Sequence, residues 1–303
     1  MDQAKAQAIE RYFKRYIIID LTTQRIEAVA GAWVAELRVG AIQRFFSINR
    51  TIARAMTPFH VHEANVFGVY RKLGALMLAH PKIRVVADCG AGRTWHFPFH
   101  YKKWFNIYLI GLDIDADEMT GNASLDQTID CDVTTSMPLE NGSVDLFMVS
   151  SGVEHFSDNQ RFLENCFQAL RPGGYVIAQF PGRYSPFAIA NRFLPRRLAK
   201  MLLRTSMKDS DGVLGFEAHY DRTNFSAFRS IAKKAGFEIT YYSPGYYSSN
   251  YAEFFLPLWV FSYIYDVVRF AIGVKDLASY NLFLLRKPDA DAPSADFQLY
   301  AWN

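Results

Sequence analysis

The chain has 303 residues, of which 50% are hydrophobic and 21% are charged, and its formal net charge at pH 7 is only +3. This length is sufficient for one large core with an appendage, and the composition is that of a globular protein. The small net charge argues against nucleic acid as a partner, because a phosphate backbone attracts strongly basic surfaces. The three cysteines lack metal-ligand spacing, so we expect reduced thiols and no metal site.

Residues 1–80 are predicted to form a helical N-terminal extension that packs over a ligand cleft. Apolar residues such as Ala28, Trp33, Val34 and Leu37 have a spacing compatible with helices. The first five residues lack the apolar core of a signal peptide, which favours a cytoplasmic location.

The first predicted strand begins at Val85 and leads into Asp88, Gly90 and Gly92. A backbone without Cβ atoms allows a ligand to lie against the main chain at the carboxyl end of a strand. A tight turn would explain the same glycines. A dinucleotide-binding protein would need a third glycine where Trp95 stands, so that class is disfavoured.

Strands and helices then alternate along the chain. A helix is predicted over residues 94–105, with Pro98 near its start, and two further helices over 158–170 and 224–235. The other predicted strands cover residues 107–112, 127–133, 144–151, 175–180, 238–243 and 281–286. This alternation predicts a parallel sheet with helices on both faces.

A carboxylate ends the second predicted strand. Asp113 lies 21 residues after Gly92. Two acceptor oxygens at such a strand tip match the two vicinal hydroxyl donors of a ribose. The pattern therefore predicts a nucleoside site next to the glycines.

Five motifs follow one another in order. They are Asp88-x-Gly90-x-Gly92, Gly-Leu-Asp-Ile-Asp at 111–115, Cys-Asp at 131–132 before the turn and strand at 139–146, Val-Glu-His-Phe at 153–156, and Leu-Arg-Pro-Gly-Gly-Tyr at 170–175. The series resembles the class I S-adenosylmethionine-dependent methyltransferases, and most of all their small-molecule, ubiquinone-biosynthesis-like branch (methyltransferase type 11), over about residues 80–240. The resemblance implies an α/β fold with a doubly wound, seven-stranded Rossmann-like sheet. It also implies a methyltransferase domain over residues 81–288, with an N-terminal helical cap and a helical insertion before the last strand.

The resemblance also implies which residues hold the cofactor, S-adenosylmethionine. Gly90 and Gly92 would approach its methionine part with the help of Asp88, and Asp113 would accept from the ribose hydroxyls next to Ile114. Asp132 would accept from the adenine amino group, and Val133 would donate its backbone N–H to the ring. Each carboxylate could instead cap a helix or end a loop. Asp115 and Asp130 are near enough for a one-step misassignment. Arg93 and Thr94 stand where a third glycine is frequent, at a position that varies in the family.

Two histidines are candidates for a general base. His155 follows the fourth predicted strand, at the sheet edge where ligands bind, and histidine titrates near neutral pH. His219 precedes the predicted helix over 224–235 and would return to the same edge. A structural role for His155 and a helix-entry role for His219 remain the alternatives.

Two segments, one basic and amphipathic and one apolar, indicate where a substrate is found. Residues 191–208 interleave six basic residues with apolar ones, a pattern suited to an anionic surface. Residues 254–274 are apolar apart from Asp266 and Arg269, and they lie in an insertion at about 245–279 where a short hairpin loop is expected. An internal proline and the central charge pair argue against a spanning helix, which leaves burial, a partner or interfacial docking. The tail 289–303 is predicted to be a loose arm.

The sequence thus predicts a cytoplasmic methyltransferase, peripheral to the inner membrane face through 191–208 and 254–274. The expected reaction is O-methylation of a glycan or lipid-linked small molecule. One alternative is a soluble or quinone-like metabolite as acceptor, with the insertion as substrate pocket or homo-oligomer face. Another is a non-catalytic cofactor-binding scaffold that holds a partner. Methylation of nucleic-acid bases or glutamine is disfavoured. Enzymes of that kind have an Asn-Pro-Pro-Tyr-like motif after the fourth strand, where this chain has Ser-Ser-Gly-Val at 150–153.

Overall fold

A computed structural model describes residues 41–58, 65–186, 188–189 and 218–289. The predicted helical pattern within residues 1–40 and the basic stretch 191–208 lie outside the described residues. So does the predicted tail 289–303 beyond its first residue.

A seven-stranded sheet forms the centre of the molecule, in the order β3-β2-β1-β4-β5-β7-β6. The strands are β1 Val85–Cys89, β2 Tyr108–Asp113, β3 Gln127–Asp130, β4 Val144–Ser150, β5 Leu170–Pro181, β6 Glu238–Gly245 and β7 Tyr280–Arg286. The first five strands are parallel, and β7 pairs antiparallel with both β5 and β6. The seven-stranded, doubly wound fold is confirmed, with the refinement that the last two strands make the sheet mixed.

Helices connect and cover the strands. They are α1 Ala41–Met56, α2 Val66–Leu78, α3 His100–Phe105, α4 Ala116–Thr120, α5 Asn159–Ala169, α6 Phe225–Lys234 and α7 Leu256–Ile272. Asp158 and Asp115 cap α5 and α4, each accepting two backbone N–H groups of the first turn.

Two hydrophobic cores lie on opposite faces of the sheet, because neighbouring strand residues point in opposite directions. Phe147 of β4 packs with Phe162 of α5 and Phe228 of α6. The next residue, Met148, packs in the other core with Tyr70 of α2. Burial on both faces explains why the central strands are almost entirely apolar.

Three element boundaries differ from the prediction by three residues or more. The helix predicted over 94–105 begins only at His100, since the Pro98 carbonyl closes a turn by accepting from Tyr101 N at 2.9 Å. β3 ends at Asp130 rather than at residue 133. β5 begins at Leu170, and its predicted turn over 171–174 becomes a bulge in the pairing with β4.

The insertion between β6 and β7 contains α7 and two short 3₁₀ turns, Ser249–Ala252 and Lys275–Leu277. Pro257 falls in the first turn of α7, where its missing N–H costs nothing, and Gly273 ends the helix with a left-handed φ of 70°. Within the described ranges, none of the helices combines the length and apolar content needed to cross a membrane.

Candidate functional site

The loop after β1 leaves an open space against its backbone. Gly90 and Gly92 have φ values of +73° and +47°, in the left-handed region that side chains disfavour. No described atom lies within 4 Å of where a Cβ would stand on either residue. The loop is nevertheless held firmly, since Gly90 N donates to Leu112 O at 2.8 Å. A ligand can therefore approach the main chain here.

Asp113, the last residue of β2, organises this loop. Its Oδ2 accepts from Gly92 N at 3.0 Å, and its Oδ1 accepts from Asp115 N at 3.1 Å. A carboxylate has about four lone-pair sites, so both oxygens retain capacity for two ribose hydroxyls. Asp115 caps α4 instead. The geometry therefore favours Asp113 over Asp115 as the ribose ligand.

Asn122 holds the loop after β1 in place and was not predicted from the sequence. Its buried side-chain amide donates to Ala91 O at 3.3 Å and to Gly92 O at 3.1 Å. Asn122 lies in the turn after α4, and no local pattern distinguishes it from an ordinary turn residue. Only the tertiary contact reveals its function.

Asp132 and Val133 lie in the loop beyond β3. Asp132 Oδ1 accepts from the backbone N and the hydroxyl of Thr134, at 2.8 and 2.7 Å. Val133 is buried, and its carbonyl accepts from Asn165 at 2.9 Å. Asp132 therefore already makes the loop-capping contacts that were its alternative role. Ile114, the predicted neighbour of the cofactor, exposes 60% of its surface.

Asp88 is buried behind the glycines. Burial, followed by the nearby charge of Asp113, raises the pKa of Asp88 to about 8. The Tyr70 hydroxyl lies close enough that its own pKa is raised by burial, Asp88 and Cys89. Burial thus favours the protonated form of Asp88. A cationic ligand would favour its ionised form.

The carboxyl ends of β4 and β5 form the other side of the site. Ser151 adopts a left-handed φ of 56°, and its backbone N donates to Gln179 O at 2.8 Å. Among the described residues, neither Gln179 Nε2 nor Glu154 Oε2 has a hydrogen-bond partner, although both atoms are buried. Unpaired buried polar groups are rare and typical of functional sites. Strained backbone is found there as well.

Glu154 lies between the two candidate bases. His155 Nε2 is 4.0 Å from Glu154 Oε1. The backbone N–H groups of His219 and Tyr220 donate to Glu154 O at 2.8 and 3.0 Å. The structure thus brings the segments of both histidines together at the end of β4, with the His219 residue exposed.

Glu154 itself was missed as a titrating group. Burial raises its pKa to about 8. The Val-Glu-His-Phe motif placed it at the correct edge, but only tertiary packing buries its side chain.

The insertion reaches this edge through a pair of tyrosines. The hydroxyl groups of Tyr251, in the insertion, and Tyr280, at the start of β7, are 2.6 Å apart. The pKa of Tyr280 is raised by burial, by Tyr251 and by Glu154. The Tyr242 hydroxyl likewise donates to Asn281 at 3.0 Å. The hydroxyl groups of these tyrosines are therefore bonded within the protein.

The sequence profile described as a methyltransferase domain, type 11, matches residues 87–178, which cover β1 to β5 and the loops just described. These residues belong to the type 11 branch of the class I S-adenosylmethionine-dependent methyltransferases. The predicted family is thereby confirmed, and S-adenosylmethionine is the cofactor of that family. The described residues contain no group of three or more His, Cys, Asp or Glu side chains that could hold a metal ion.

Individual relatives of the methyltransferase domain are distant. A probable S-adenosylmethionine-dependent methyltransferase of Mycolicibacterium smegmatis is 38% identical over 52 residues, which are 16% of this chain and 20% of that protein. The phosphoethanolamine N-methyltransferase 2 of Haemonchus contortus, solved with S-adenosyl-L-methionine, is 16% identical over 72% of this chain and 52% of its own, with a TM-score of 0.42. An S-adenosylmethionine-dependent methyltransferase of Mesorhizobium loti is 16% identical over 72% of this chain and 98% of its own, with a TM-score of 0.45. The chain thus spans only part of the first two relatives.

Proposed function

We propose that the protein transfers a methyl group from S-adenosylmethionine to a small-molecule acceptor. The observation that carries this proposal is the open backbone at Gly90 and Gly92, flanked by the Asp113 carboxylate within a type 11 methyltransferase domain. The buried Asp88 carboxyl also fits, because the cofactor is cationic at its sulfonium and amino groups and would favour the ionised form of Asp88.

The cofactor supplies an electrophilic methyl group, so the protein mainly positions the acceptor and removes its proton if that acceptor is a hydroxyl. Gly90, Gly92 and Asp113 hold the cofactor in this proposal. His155 and His219 are the candidate bases at the facing strand end. Asp132 and Val133 complete the site on the adenine side.

We further propose that the acceptor is a glycan or a lipid-linked small molecule that is methylated on oxygen near the inner membrane face. Support comes from the insertion, which contacts the site edge through the Tyr251–Tyr280 hydroxyl pair and carries the apolar helix α7. A soluble or quinone-like metabolite is the second candidate, favoured if α7 serves as a substrate pocket or an oligomer face. A catalytically silent scaffold is the third.

Calorimetric titration tests the cofactor directly. We expect micromolar binding of S-adenosylmethionine and S-adenosylhomocysteine and no binding of NAD. Asp113→Ala should weaken binding by about 1–3 kcal/mol, the cost of losing a charged hydrogen-bond partner. Unchanged affinity in this variant would show that the carboxylate is wrongly assigned. Absence of binding to both S-adenosylmethionine and S-adenosylhomocysteine would favour a catalytically silent protein that holds a partner.

The acceptor class is tested with methyl-labelled cofactor and cell extracts. Label should appear in an organic-solvent extract of membranes if the acceptor is lipid-linked. Label confined to the water-soluble metabolites would favour the second candidate instead. His155→Gln and His219→Gln, measured in the same assay across pH, would show which histidine removes the proton.

A further inference from the structure

Helix α7 has an inverted distribution of polarity. Its three fully buried residues are Trp259, Asp266 and Arg269, two of which are charged. The exposed side of the helix is apolar and consists of Leu258, Val260, Phe261, Ile264, Tyr265, Val267, Val268, Phe270 and Ile272. Surface helices of soluble proteins normally show the opposite arrangement. The exposed side is therefore built to meet an apolar environment.

A buried ion pair fixes this orientation. Asp266 accepts from the backbone N–H groups of Ser248 and Ser249, both at 2.7 Å, and pairs with Arg269. Arg269 also donates to Tyr246 O at 2.7 Å, to Leu277 O and to the Ser279 hydroxyl. Rotation of α7 would expose this pair and break its bonds to Ser248, Ser249 and Tyr246. The outward apolar face is thus a consequence of specific contacts.

Helix α1 extends the apolar surface. It packs against the start of α7, where Asn49 Oδ1 accepts from Leu256 N at 3.0 Å and Ala53 lies in one hydrophobic cluster with Trp259. Along α1 the exposed apolar residues form one stripe, consisting of Phe45, Ile48, Ile52 and Met56. We call the exposed apolar residues of α1 and α7 together the apolar platform.

We propose that the apolar platform docks the protein onto an anionic lipid bilayer, into which the exposed side chains insert at the headgroup boundary. The inference deepens the membrane-linked acceptor proposed above, but its test does not depend on methyl transfer. Phe261 and Ile264 expose 73% and 57% of their surface, so they stand out from the protein rather than line a groove. Protruding apolar side chains suit a soft apolar medium.

The basic residues near the apolar platform favour an anionic bilayer as its binding partner. Helix α1 contains Arg44, Arg50 and Arg54 and no acidic residue, while the single acidic residue of α7 is buried. Basic residues beside an inserted apolar face are attracted by anionic headgroups. Arg54 also pairs with Glu253 at 2.7 Å. A second copy of this chain would bring two such basic helices together, and neither α1 nor α7 offers an exposed acidic residue to pair with them.

Vesicle co-sedimentation tests the proposal. The full chain should bind vesicles of phosphatidylcholine with phosphatidylglycerol more tightly than vesicles of phosphatidylcholine alone. The double variant Phe261→Glu/Ile264→Glu should lose at least tenfold in binding. The control variant Leu76→Glu/Tyr108→Glu changes two other exposed hydrophobic residues, 51% and 47% exposed, away from the platform, and should bind as the parent does. Arg44→Gln/Arg50→Gln should remove the preference for anionic vesicles.

Other outcomes overturn the proposal. The proposal is wrong if the parent protein does not bind vesicles. It is also wrong if Phe261→Glu/Ile264→Glu binds them as well as the control variant does. Light scattering that shows a dimer dissociated by Phe261→Glu/Ile264→Glu, without vesicle binding by the parent, would assign the platform to a second copy. Calorimetry on the same proteins separates the two proposals. Lost vesicle binding with retained S-adenosylmethionine affinity supports docking, whereas vesicle binding without cofactor affinity overturns only the methyltransferase proposal.

Discussion

At the scale of single residues, Gly90, Gly92 and Gly142 provide a matched comparison. All three have a left-handed φ, and no described atom lies within 4 Å of where a Cβ would stand on any of them. Gly142 lies in the turn before β4, whereas the other two face the proposed cofactor. Backbone strain and ligand contact can therefore be separated by substitution.

We expect Gly90→Ala, Gly92→Ala and Gly142→Ala each to lower the free energy of unfolding by about 1–2 kcal/mol, because a side chain disfavours the left-handed region. Only the first two should also lower the affinity for S-adenosylhomocysteine, by at least tenfold, since their methyl groups would occupy the ligand space. Urea denaturation and calorimetry measure the two effects. Equal affinities in all three variants would place the ligand elsewhere.

The raised pKa of Asp88 predicts a pH-dependent stability. Its value of about 8 lies above the ordinary 3.8, so the folded state favours the protonated form. This contribution is fully present below about pH 4, decreases as the pH rises and is lost above about pH 8. Each unit of pKa shift corresponds to about 1.4 kcal/mol. Asp88→Asn should therefore be more stable than the parent at pH 9 and similar at pH 4, as measured by urea denaturation.

Glu154 serves as the control for this experiment, because its pKa is also raised to about 8 by burial. The pH dependence of stability that Glu154 contributes is still present in Asp88→Asn. The difference in the free energy of unfolding between the parent and the variant therefore reports on Asp88 alone. A constant difference from pH 4 to pH 9 would mean that Asp88 is not held neutral in the folded protein.

The residues of the site differed in how far the sequence could reveal them. Gly90, Gly92 and Asp113 carry local signals, since glycine pairs and a strand-end carboxylate follow apolar runs. Asn122 and Gln179 carry none, because their partners are distant in the chain: Asn122 Nδ2 bonds the loop some 30 residues earlier, and Gln179 meets Ser151 across β4 and β5. The roles assigned to His155, His219, Asp132 and Val133 stay predictions.

At the scale of elements, the buried pair in α7 makes the insertion sensitive to single changes. Asp266→Ala leaves the Arg269 charge buried without its partner, which typically costs about 3–5 kcal/mol. We therefore expect a large loss in the free energy of unfolding. The double variant Asp266→Leu/Arg269→Met should be less damaging than Asp266→Ala, because no charge remains buried. Urea denaturation compares the two variants.

A surface pair of the same chemistry provides the control. Arg93 and Glu118 are 2.7 Å apart, but Arg93 is largely exposed, and removal of either should cost at most about 1 kcal/mol. If Asp266→Ala behaves like Glu118→Ala, the α7 pair is hydrated and the fixed orientation of the helix is not supported.

The sequence did not reveal that Asp266 and Arg269 fix the orientation of α7. In the linear chain they are interruptions of an apolar run. Their spacing of three residues places them on one side of a helix, but no pattern indicates which side is buried. The direction was decided by Ser248, Ser249 and Tyr246, which offer polar groups only on the protein side.

At the scale of the whole molecule, two cysteines report on the coupling between folding and cofactor binding. Cys89 of β1 and Cys166 of α5 are buried in the same hydrophobic core, and burial raises the pKa of both thiols. Their reaction with a thiol reagent therefore requires unfolding. S-adenosylhomocysteine at 100 times its Kd should slow labelling of both about a hundredfold, as followed by peptide mass spectrometry.

NAD at the same concentration is the control and should leave both labelling rates unchanged. Protection of Cys89 alone would indicate local opening at the cofactor loop rather than unfolding of one cooperative unit. Protection of neither cysteine would contradict cofactor binding by the folded state.

The sequence by itself determined the fold class and the position of the glycine loop after β1. Apolar runs, glycines and strand-end carboxylates act through local backbone preferences and burial, which are written residue by residue. Only the tertiary structure decided the antiparallel β7 and the outward face of α7. Each of these depends on which distant groups meet, such as Asp266 with Ser248 or Tyr251 with Tyr280, and contacts of this kind leave no periodic trace in the chain.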